Sequence, residues 1–232
     1  MRAEAIVVAG GAGERMGSGV PKQFLEAAGR PLLVHALVPF QAHPDVTAIT
    51  VVLPGAYLEE MRTALADRWG LDKVRGVCPG GSSRRASVRA GLESAGLEEG
   101  DPGSLVAVHD GARPLLTTGL LDALLRAAEG PGAAAPSLRV ADTVVRDEGG
   151  TAGEVVDRSG LRRVQTPQVF RSDWLAEAHR AWPREREATD DAQMVRALGH
   201  PVALIEGDPM NLKVTTPRDL EMVRRCLGGG SA

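Results

Sequence analysis

Short runs of β-branched residues alternate with longer helical patterns along most of the 232-residue chain, and this alternation constrains the fold more than any other sequence feature. It is typical of βαβ units around a mainly parallel sheet. In such sheets, ligands bind beyond the carboxyl ends of the strands. We therefore predict an α/β fold and one domain over residues 1–232, since 43% hydrophobic and 25% charged residues are ordinary for a globular unit.

The predicted elements follow from apolar spacing, β-branched content and helix caps. The predicted strands cover residues 5–8, 49–53, 74–78, 105–108 and 202–205. The predicted helices cover residues 32–38, 57–68, 83–94, 120–129, 174–182, 191–198 and 218–226.

Residues 137–165 depart from this alternation. We predict short antiparallel strands over 138–145, 154–157 and 161–164, with a glycine-rich turn at 147–153. A ribbon of two or three short strands is marginal alone in water and needs a surface to pack against. We therefore predict that this inserted β-arm packs on a second copy and forms a homodimer. The alternative is that it folds over its own domain, because α/β sheets often carry antiparallel edges.

Composition argues against several classes of partner. An aromatic content of 3% and a net charge of −3 give neither a stacking platform nor a basic footprint, so we expect no nucleic-acid partner. Residues 1–10 are too short, and too soon followed by glycines and charges, for a signal peptide or membrane span. The sequence thus predicts a cytoplasmic protein without a membrane partner. Cys78 and Cys226 form no CxxC pair, and we predict that both are buried thiols.

A glycine-rich loop follows the first predicted strand, with the sequence AGGAGERMG over residues 9–17 and Pro21-Lys22 soon after. Glycines let backbone amides approach phosphate oxygens, and Arg15 and Lys22 supply positive charge. A P-loop would require Ser or Thr after the lysine, where Gln23 stands. A dinucleotide fingerprint would require glycine at Met16. The loop therefore predicts a triphosphate site of another kind.

Further motifs follow in order along the chain: PKQFL at 21–25, Gly80-Gly81 with Arg84 and Ser87-Val88, VHDGARP at 108–114, TPQ at 166–168, TDD at 189–191 and NLKVT at 211–215. With the loop, they resemble the 2-C-methyl-D-erythritol 4-phosphate cytidylyltransferases over essentially the whole chain. The resemblance implies a Rossmann-like nucleotidyltransferase fold and transfer of CMP from CTP to that polyol phosphate, with release of pyrophosphate.

The resemblance also assigns roles to residues. It implies that the catalytic cations are Arg15, Lys22, Arg158 and Lys213. It implies that the nucleotide is bound by Ala9, Gly10, Gly11, Gly13, Gly81, Ser82, Ser87, Asp110 and Gly111. It implies that the acceptor is bound by Asp110, Arg113, Thr143, Arg158, Thr166, Thr189 and Lys213, with Thr143 and Arg158 reaching in from a neighbouring subunit.

Simpler interpretations remain open for several of these residues. The turn at 80–83 precedes a predicted helix and could serve only to cap it. Asp110 and Arg113 could simply pair with each other. We expect Arg158, beside a predicted turn at 159–160, to project from the tip of the ribbon. His109 is interpreted as structural, because a phosphate monoester is already anionic and requires no general base.

Two positions depart from the family pattern. Ser82 stands where an acidic or other polar residue is expected, so the base contact there is open. Asp191 stands where glutamate is expected, and we predict that it caps the following helix.

Mg²⁺ is the expected cofactor, because triphosphate charge must be neutralised before an anionic nucleophile approaches. No spacing identifies its protein ligands, and we assign no metal-binding residue. The sequence leaves three alternative functions: a cytidylyltransferase for another polyol phosphate such as ribitol 5-phosphate, a sugar-nucleotide glycosyltransferase, and a non-catalytic nucleotide-binding regulator. The glycosyltransferase lacks support from a D-x-D pair, and the regulator leaves the four cations without a common purpose.

Overall fold

The computed structural model describes residues 2–11, 20–183 and 185–228. Gly13 and Arg15 lie outside these residues. Within them, the predicted α/β architecture is confirmed: an eight-stranded, mainly parallel sheet carries helices, and two small antiparallel sheets lie apart from it.

Every predicted helix and strand outside the arm overlaps an observed one. The strands are β1 Ala3–Val8, β2 Glu26–Ala27, β3 Arg30–Pro31, β4 Val46–Leu53, β5 Val74–Pro79, β6 Leu105–Asp110, β7 Ala133–Arg139, β8 Val144–Asp147, β9 Ala152–Val156, β10 Arg162–Val164, β11 Gln168–Arg171 and β12 Ala203–Glu206. The α-helices are α1 Leu32–Ala42, α2 Leu58–Asp67, α3 Arg84–Ala95, α4 Thr118–Glu129, α5 Ser172–Ala181, α6 Asp191–Ala197 and α7 Pro217–Gly228. None of these helices has the length and apolar character needed to cross a membrane.

The order of the strands places a crevice at the end of β1. The central sheet runs β10-β7-β11-β6-β1-β4-β5, and β12 pairs with β7. Strand β1 is parallel to both neighbours, β4 on one side and β6 on the other. Its last residue, Val8, is the register partner of Asp110 at the end of β6. The order in which successive strands join the sheet therefore reverses at β1. Open α/β sheets bind ligands at such a point.

Alternate residues of β1 enter two different cores. Ala5 and Val7 belong to a buried cluster with residues of α1, α2 and α4, whereas Ile6 belongs to a second cluster with residues of α3, α5 and α6. A Cβ atom at Gly91 of α3 would lie 2.5 Å from Ile6 Cγ2. Glycine there lets α3 lie close against the sheet, and this packing brings the start of α3 to the crevice.

The structure divides the predicted arm differently. Strand β7 extends to Arg139 in the central sheet, and Val144 opens the separate β8–β9 ribbon, so one strand over 138–145 is wrong. The segment predicted at 161–164 also belongs to the central sheet, where β10 pairs with β7. The division follows burial, since Leu138 is 8% exposed and Val145 is 42% exposed. The independent ribbon covers residues 144–156, less than the 137–165 predicted.

Strand β11 was not predicted. It lies antiparallel between β6 and β7, and it inserts only two consecutive apolar residues, Val169 and Phe170, into the core. A run this short has no recognisable strand period.

The cysteine prediction is half right. Cys78 is buried and Cys226 is exposed, and both thiols are free. In α7 the buried positions are Leu220 and Val223, and the helical period directs Cys226 away from that face.

Candidate active site

A cavity of about 450 Å³ opens where β1 and β6 end. It is lined by predicted site residues from segments that are far apart in sequence. Those among its lining residues are Ala9, Gly10, Gly11, Lys22, Gly81, Ser82, Ser87, Asp110 and Lys213.

Gln23 holds the glycine-rich loop beside Lys22. Its side chain is buried, and Nε2 donates to the carbonyl oxygen of Ala9 and, at 3.2 Å, to that of Gly11. Gly111 binds the end of β1, where this loop begins, because its amide donates to the Val8 carbonyl at 2.9 Å. This role of Gln23 was not predicted from the sequence. The sequence feature that could have indicated it is the position of Gln23 close to a glycine-rich loop, because the backbone carbonyls of such a loop need hydrogen-bond donors.

The turn before α3 both caps the helix and lines the cavity. The hydroxyl of Ser83 accepts a hydrogen bond from the Ala86 amide at 3.1 Å. Ser87 Oγ accepts from the Gly81 amide at 3.2 Å and donates to the Ser83 carbonyl at 2.9 Å. A Cβ at Gly81 would lie 2.4 Å from Ala86 Cβ, so only glycine fits there. Ser87 therefore shapes the turn, while the exposed Ser82 faces the cavity.

Asp110 is shared among three cations. Lys213 Nζ lies 2.8 Å and Arg113 Nε 3.7 Å from its Oδ2, and Arg84 Nε lies 3.2 Å from its Oδ1. Burial alone would raise the pKa of this carboxyl, but Arg84, Lys213 and Arg113 outweigh burial and hold the pKa well below its usual range. Asp110 is therefore an ionised carboxylate at neutral pH, and it does not pair with Arg113 alone.

A buried hydrogen-bond chain orients the residues around Asp110. The Asp110 amide donates to Thr166 Oγ1 at 3.0 Å, and that hydroxyl lies 3.1 Å from His109 Nδ1. His109 Nε2 lies 3.2 Å from the Arg113 carbonyl, an acceptor, so Nε2 carries the proton and Nδ1 accepts from Thr166. Burial lowers the pKa of His109 to about 4, so the ring is neutral at neutral pH. This geometry agrees with a structural role for His109.

Arg113 is anchored by Asn211. The guanidinium donates through Nη1 to the Asn211 carbonyl at 2.8 Å, and Asn211 Nδ2 donates to the Thr166 carbonyl at 2.8 Å. Among the described residues, the cavity lining does not include Arg113 or Thr166. Both nevertheless touch Asp110, which does line it.

Three further predicted acceptor residues also lie outside the cavity lining in the described ranges. Thr143 and Arg158 are exposed, and the Arg158 guanidinium donates to the Ala141 carbonyl. The tip of the ribbon is the turn that Glu148 and its neighbours form between β8 and β9. The prediction that Arg158 projects from the tip is therefore wrong, because it follows β9 at the other end. Thr189 is exposed and its hydroxyl lies 3.2 Å from Gln193 Oε1.

Asp191 does not cap α6. The cap is Asp190, which accepts from the Gln193 amide at 2.9 Å. Asp191 is fully buried, and it accepts from Arg84 Nη1 at 2.7 Å and from His179 Nε2 at 2.9 Å. Burial opposes its ionisation, but Arg84 and His179 outweigh burial and lower the pKa of Asp191 to about 2. Arg84 belongs to one of the sequence motifs, but its connection of Asp191 to Asp110 was not predicted.

The described residues offer no group of three or more His, Cys, Asp or Glu side chains that could hold a metal ion. Of the described cavity-lining residues, only Asp110 carries a carboxylate. A protein-built metal cage is thus absent from the part of the chain that the structure describes.

Comparisons with known proteins agree on one family. The family model described as 2-C-methyl-D-erythritol 4-phosphate cytidylyltransferase matches residues 3–228. The chain is 42% identical over 221 residues to the protein of that name from Geobacillus kaustophilus, a match that covers 95% of this chain and 94% of that one. It is 44% identical over 226 residues to the bifunctional enzyme IspD/IspF of Rhodospirillum rubrum. That match covers 97% of this chain and 57% of the relative, so the chain spans just over half of the bifunctional protein.

The fold agrees as well. The crystal structure of 2-C-methyl-D-erythritol 4-phosphate cytidylyltransferase from Thermus thermophilus superimposes with a TM-score of 0.77 at 39% identity. The match covers 98% of this chain and 100% of that one.

Proposed function

Because the chain belongs to the 2-C-methyl-D-erythritol 4-phosphate cytidylyltransferase family and is a cytidylyltransferase, we propose that it transfers CMP from CTP to 2-C-methyl-D-erythritol 4-phosphate at the cavity around Asp110. An oxygen of the acceptor phosphate attacks the α-phosphorus of CTP. A new O–P bond forms, the bond to the β-phosphate breaks, and pyrophosphate leaves. The observation that carries the proposal is that Lys22 and Lys213, which are 191 positions apart in sequence, line the same cavity as the glycine-rich loop.

The nucleotide occupies the side of the cavity formed by the two glycine-containing turns. Gly10 and Gly11 leave room for phosphate oxygens near the backbone, and Lys22 places an ammonium beside them. Gly81 and Ser82 offer the cytosine ring a narrow polar edge. Arg15 belongs to the same loop and would add a second cation. Transfer then rests on alignment and charge stabilisation, since no protein nucleophile is required.

The acceptor occupies the side formed by Asp110 and Lys213. Asp110 suits an acceptor hydroxyl, because an ionised carboxylate accepts hydrogen bonds strongly. Lys213 suits the acceptor phosphate, because its ammonium lowers the repulsion between two anions that must meet. Its side chain is 39% exposed, so the ammonium can reach a ligand in the cavity.

Mg²⁺ is proposed as a partner of the nucleotide. Asp110, the one carboxylate among the described lining residues, already accepts from cations at 2.8 and 3.2 Å. This donor set fits an ion that is held mainly by phosphate oxygens, with Asp110 as the one protein ligand that the described lining residues offer. When bound, the ion neutralises charge on the triphosphate.

Chelation of Mg²⁺ with EDTA should abolish pyrophosphate release, and added Mg²⁺ should restore it. Turnover that persists in the chelator contradicts this proposal.

A homodimer is proposed through the β8–β9 ribbon. Val145 and Val155 are paired across its two strands, and they are 42% and 64% exposed. An apolar pair this open on a two-stranded ribbon needs a covering surface. In the dimer, Thr143 and Arg158 of one subunit complete the acceptor side of its partner's cavity.

Pyrophosphate release tests the proposed reaction. The protein should release pyrophosphate from CTP only when 2-C-methyl-D-erythritol 4-phosphate is present, and ribitol 5-phosphate should be a poor substitute. ATP, GTP and UTP serve as controls for the base. Equal release with both acceptors would favour the broader polyol-phosphate activity, and CTP binding without any release would favour a regulator.

A further inference from the structure

Arg84 joins two buried carboxylates that come from different parts of the chain. Its Nε lies 3.2 Å from Asp110 Oδ1, and its Nη1 lies 2.7 Å from Asp191 Oδ2. Asp110 ends β6 at the cavity, whereas Asp191 is the first residue of α6. Both carboxylate side chains are at most 8% exposed. A guanidinium is suited to this bridge because its donors are fixed in a planar fork, which a lysine ammonium lacks.

Asp191 cannot reach a substrate directly. Its side chain is 0% exposed, and its second oxygen is bound by His179 Nε2 at 2.9 Å, on a ring that is 2% exposed. This carboxylate of α6 is therefore fixed by His179 of α5 and by Arg84 of α3. Its effect on the cavity passes through Arg84, which is both its partner and a cavity-lining residue.

Lys213 is the most exposed cation of this cluster. It bonds Asp110 at 2.8 Å, yet its side chain is 39% exposed, compared with 24% for Arg84. Its ammonium has three donors, and an acceptor phosphate that takes one or more of them competes with Asp110 for this cation. A buried carboxylate that loses its cation is strongly destabilised unless another cation stays in place.

We propose that Asp191 is a positioning residue for the transfer reaction: by anchoring Arg84, it keeps Asp110 compensated and in place while Lys213 engages the acceptor phosphate. The inference rests on the proposed function. It assigns to α6 a part in acceptor use and none in nucleotide binding, because the described hydrogen bonds of the Asp191 carboxylate go to Arg84 and His179.

Two substitutions test this role. Asp191→Asn removes the anchoring charge with little change in shape, and Arg84→Lys keeps the positive charge but replaces the planar fork with a single nitrogen on a shorter side chain. Each should lower kcat/KM for the acceptor on the order of 10²-fold, since small displacements of a reacting group have effects of that size. The Kd of CTP should stay within about threefold of wild type. The double variant should be no worse than Arg84→Lys alone, because both changes break one connection.

The control is Asp173→Asn, which breaks an Arg–Asp pair of 2.6 Å between Arg171 and Asp173 outside the cavity lining. It should leave both parameters unchanged. The proposal is overturned if Arg84→Lys and Asp191→Asn keep wild-type acceptor use, if CTP binding falls in parallel, or if their effects multiply in the double variant. If the Asp191→Asn variant does not fold, the Arg84→Lys variant still tests the proposal through the same two parameters, because it leaves both carboxylates in place. An inactive wild-type protein would instead refute the proposed function.

Discussion

At the scale of single residues, the charged groups of the cavity have one another as partners. Asp110 is held by Arg84, Lys213 and Arg113, and Arg84 is held in turn by Asp191. Such an arrangement fixes where positive charge lies before a substrate arrives. Preorganised charge of this kind is the main contribution a protein can make to phosphoryl-type transfer.

Lys213→Ala should mainly affect the transition state. We expect a loss of about 2–4 kcal/mol in transition-state stabilisation, as for removal of one charge-stabilising donor, measured as kcat/KM for the acceptor. Lys73→Ala is the matched control, because Lys73 Nζ donates to the His43 carbonyl at 2.6 Å outside the cavity lining. Equal kinetics in the two variants would remove Lys213 from the reaction.

His109 should make stability depend on pH. Its pKa is lowered from 6.5 to about 4 in the folded state, so the unfolded state binds the proton first as pH falls. Stability linked to this ring is therefore complete above pH 6.5 and is lost as pH falls toward 4, to an extent of about 3 kcal/mol.

His109→Gln tests that linkage. Glutamine can still accept from Thr166 and donate to the Arg113 carbonyl, but it does not titrate. Urea unfolding near pH 7 and at about pH 4.5 should show a smaller decrease in unfolding free energy for the variant than for wild type. An equal decrease in both proteins would mean that His109 is not the group responsible.

At the scale of elements, the β8–β9 ribbon carries the prediction about assembly. Val155→Asp places a charge in the apolar pair with Val145, and we expect sedimentation to shift from dimer to monomer. Met222→Asp on α7 is the control, since Met222 is also half exposed but lies outside the ribbon. A wild-type monomer, or a Val155→Asp variant that remains dimeric, contradicts the assignment of the interface.

The elements that the sequence predicts best are those whose apolar period is long. Helix α4 is an example, because its buried residues Leu121, Leu124, Leu125 and Ala128 repeat with the helical period. The motifs also predicted segments that meet at the cavity, since Lys22 and Lys213 both line it.

Elements defined by long-range pairing were predicted poorly. Strand β11 has two apolar core residues and exists because β6 and β7 pair with it. Strand β6 extends two residues beyond its predicted end, because His109 and Asp110 are polar yet buried with partners distant in sequence. The Arg84–Asp191 pair spans 107 positions, and no local pattern shows such a contact.

At the scale of the whole molecule, the position of the cavity follows from the strand order. Because β1 lies between β4 and β6, the loops that follow β1 and β6 meet at one crevice, and α3 packs against the sheet beside it. The chain belongs to a family of cytidylyltransferases, so we assign these loops to one nucleotidyl-transfer site. In our account, Lys22 and Lys213 of one subunit, with Arg15, act on the same phosphorus as Arg158 of its partner.

Heterodimers test this shared site most directly. Lys213→Ala and Arg158→Ala subunits carrying different tags can be co-expressed and purified as mixed dimers. If Arg158 acts across the interface, one site of each mixed dimer has both defects and the other has neither, so about half of wild-type activity per dimer should return. If activity stays at the level of the two parent variants, Arg158 does not complete a partner's site and the account is contradicted.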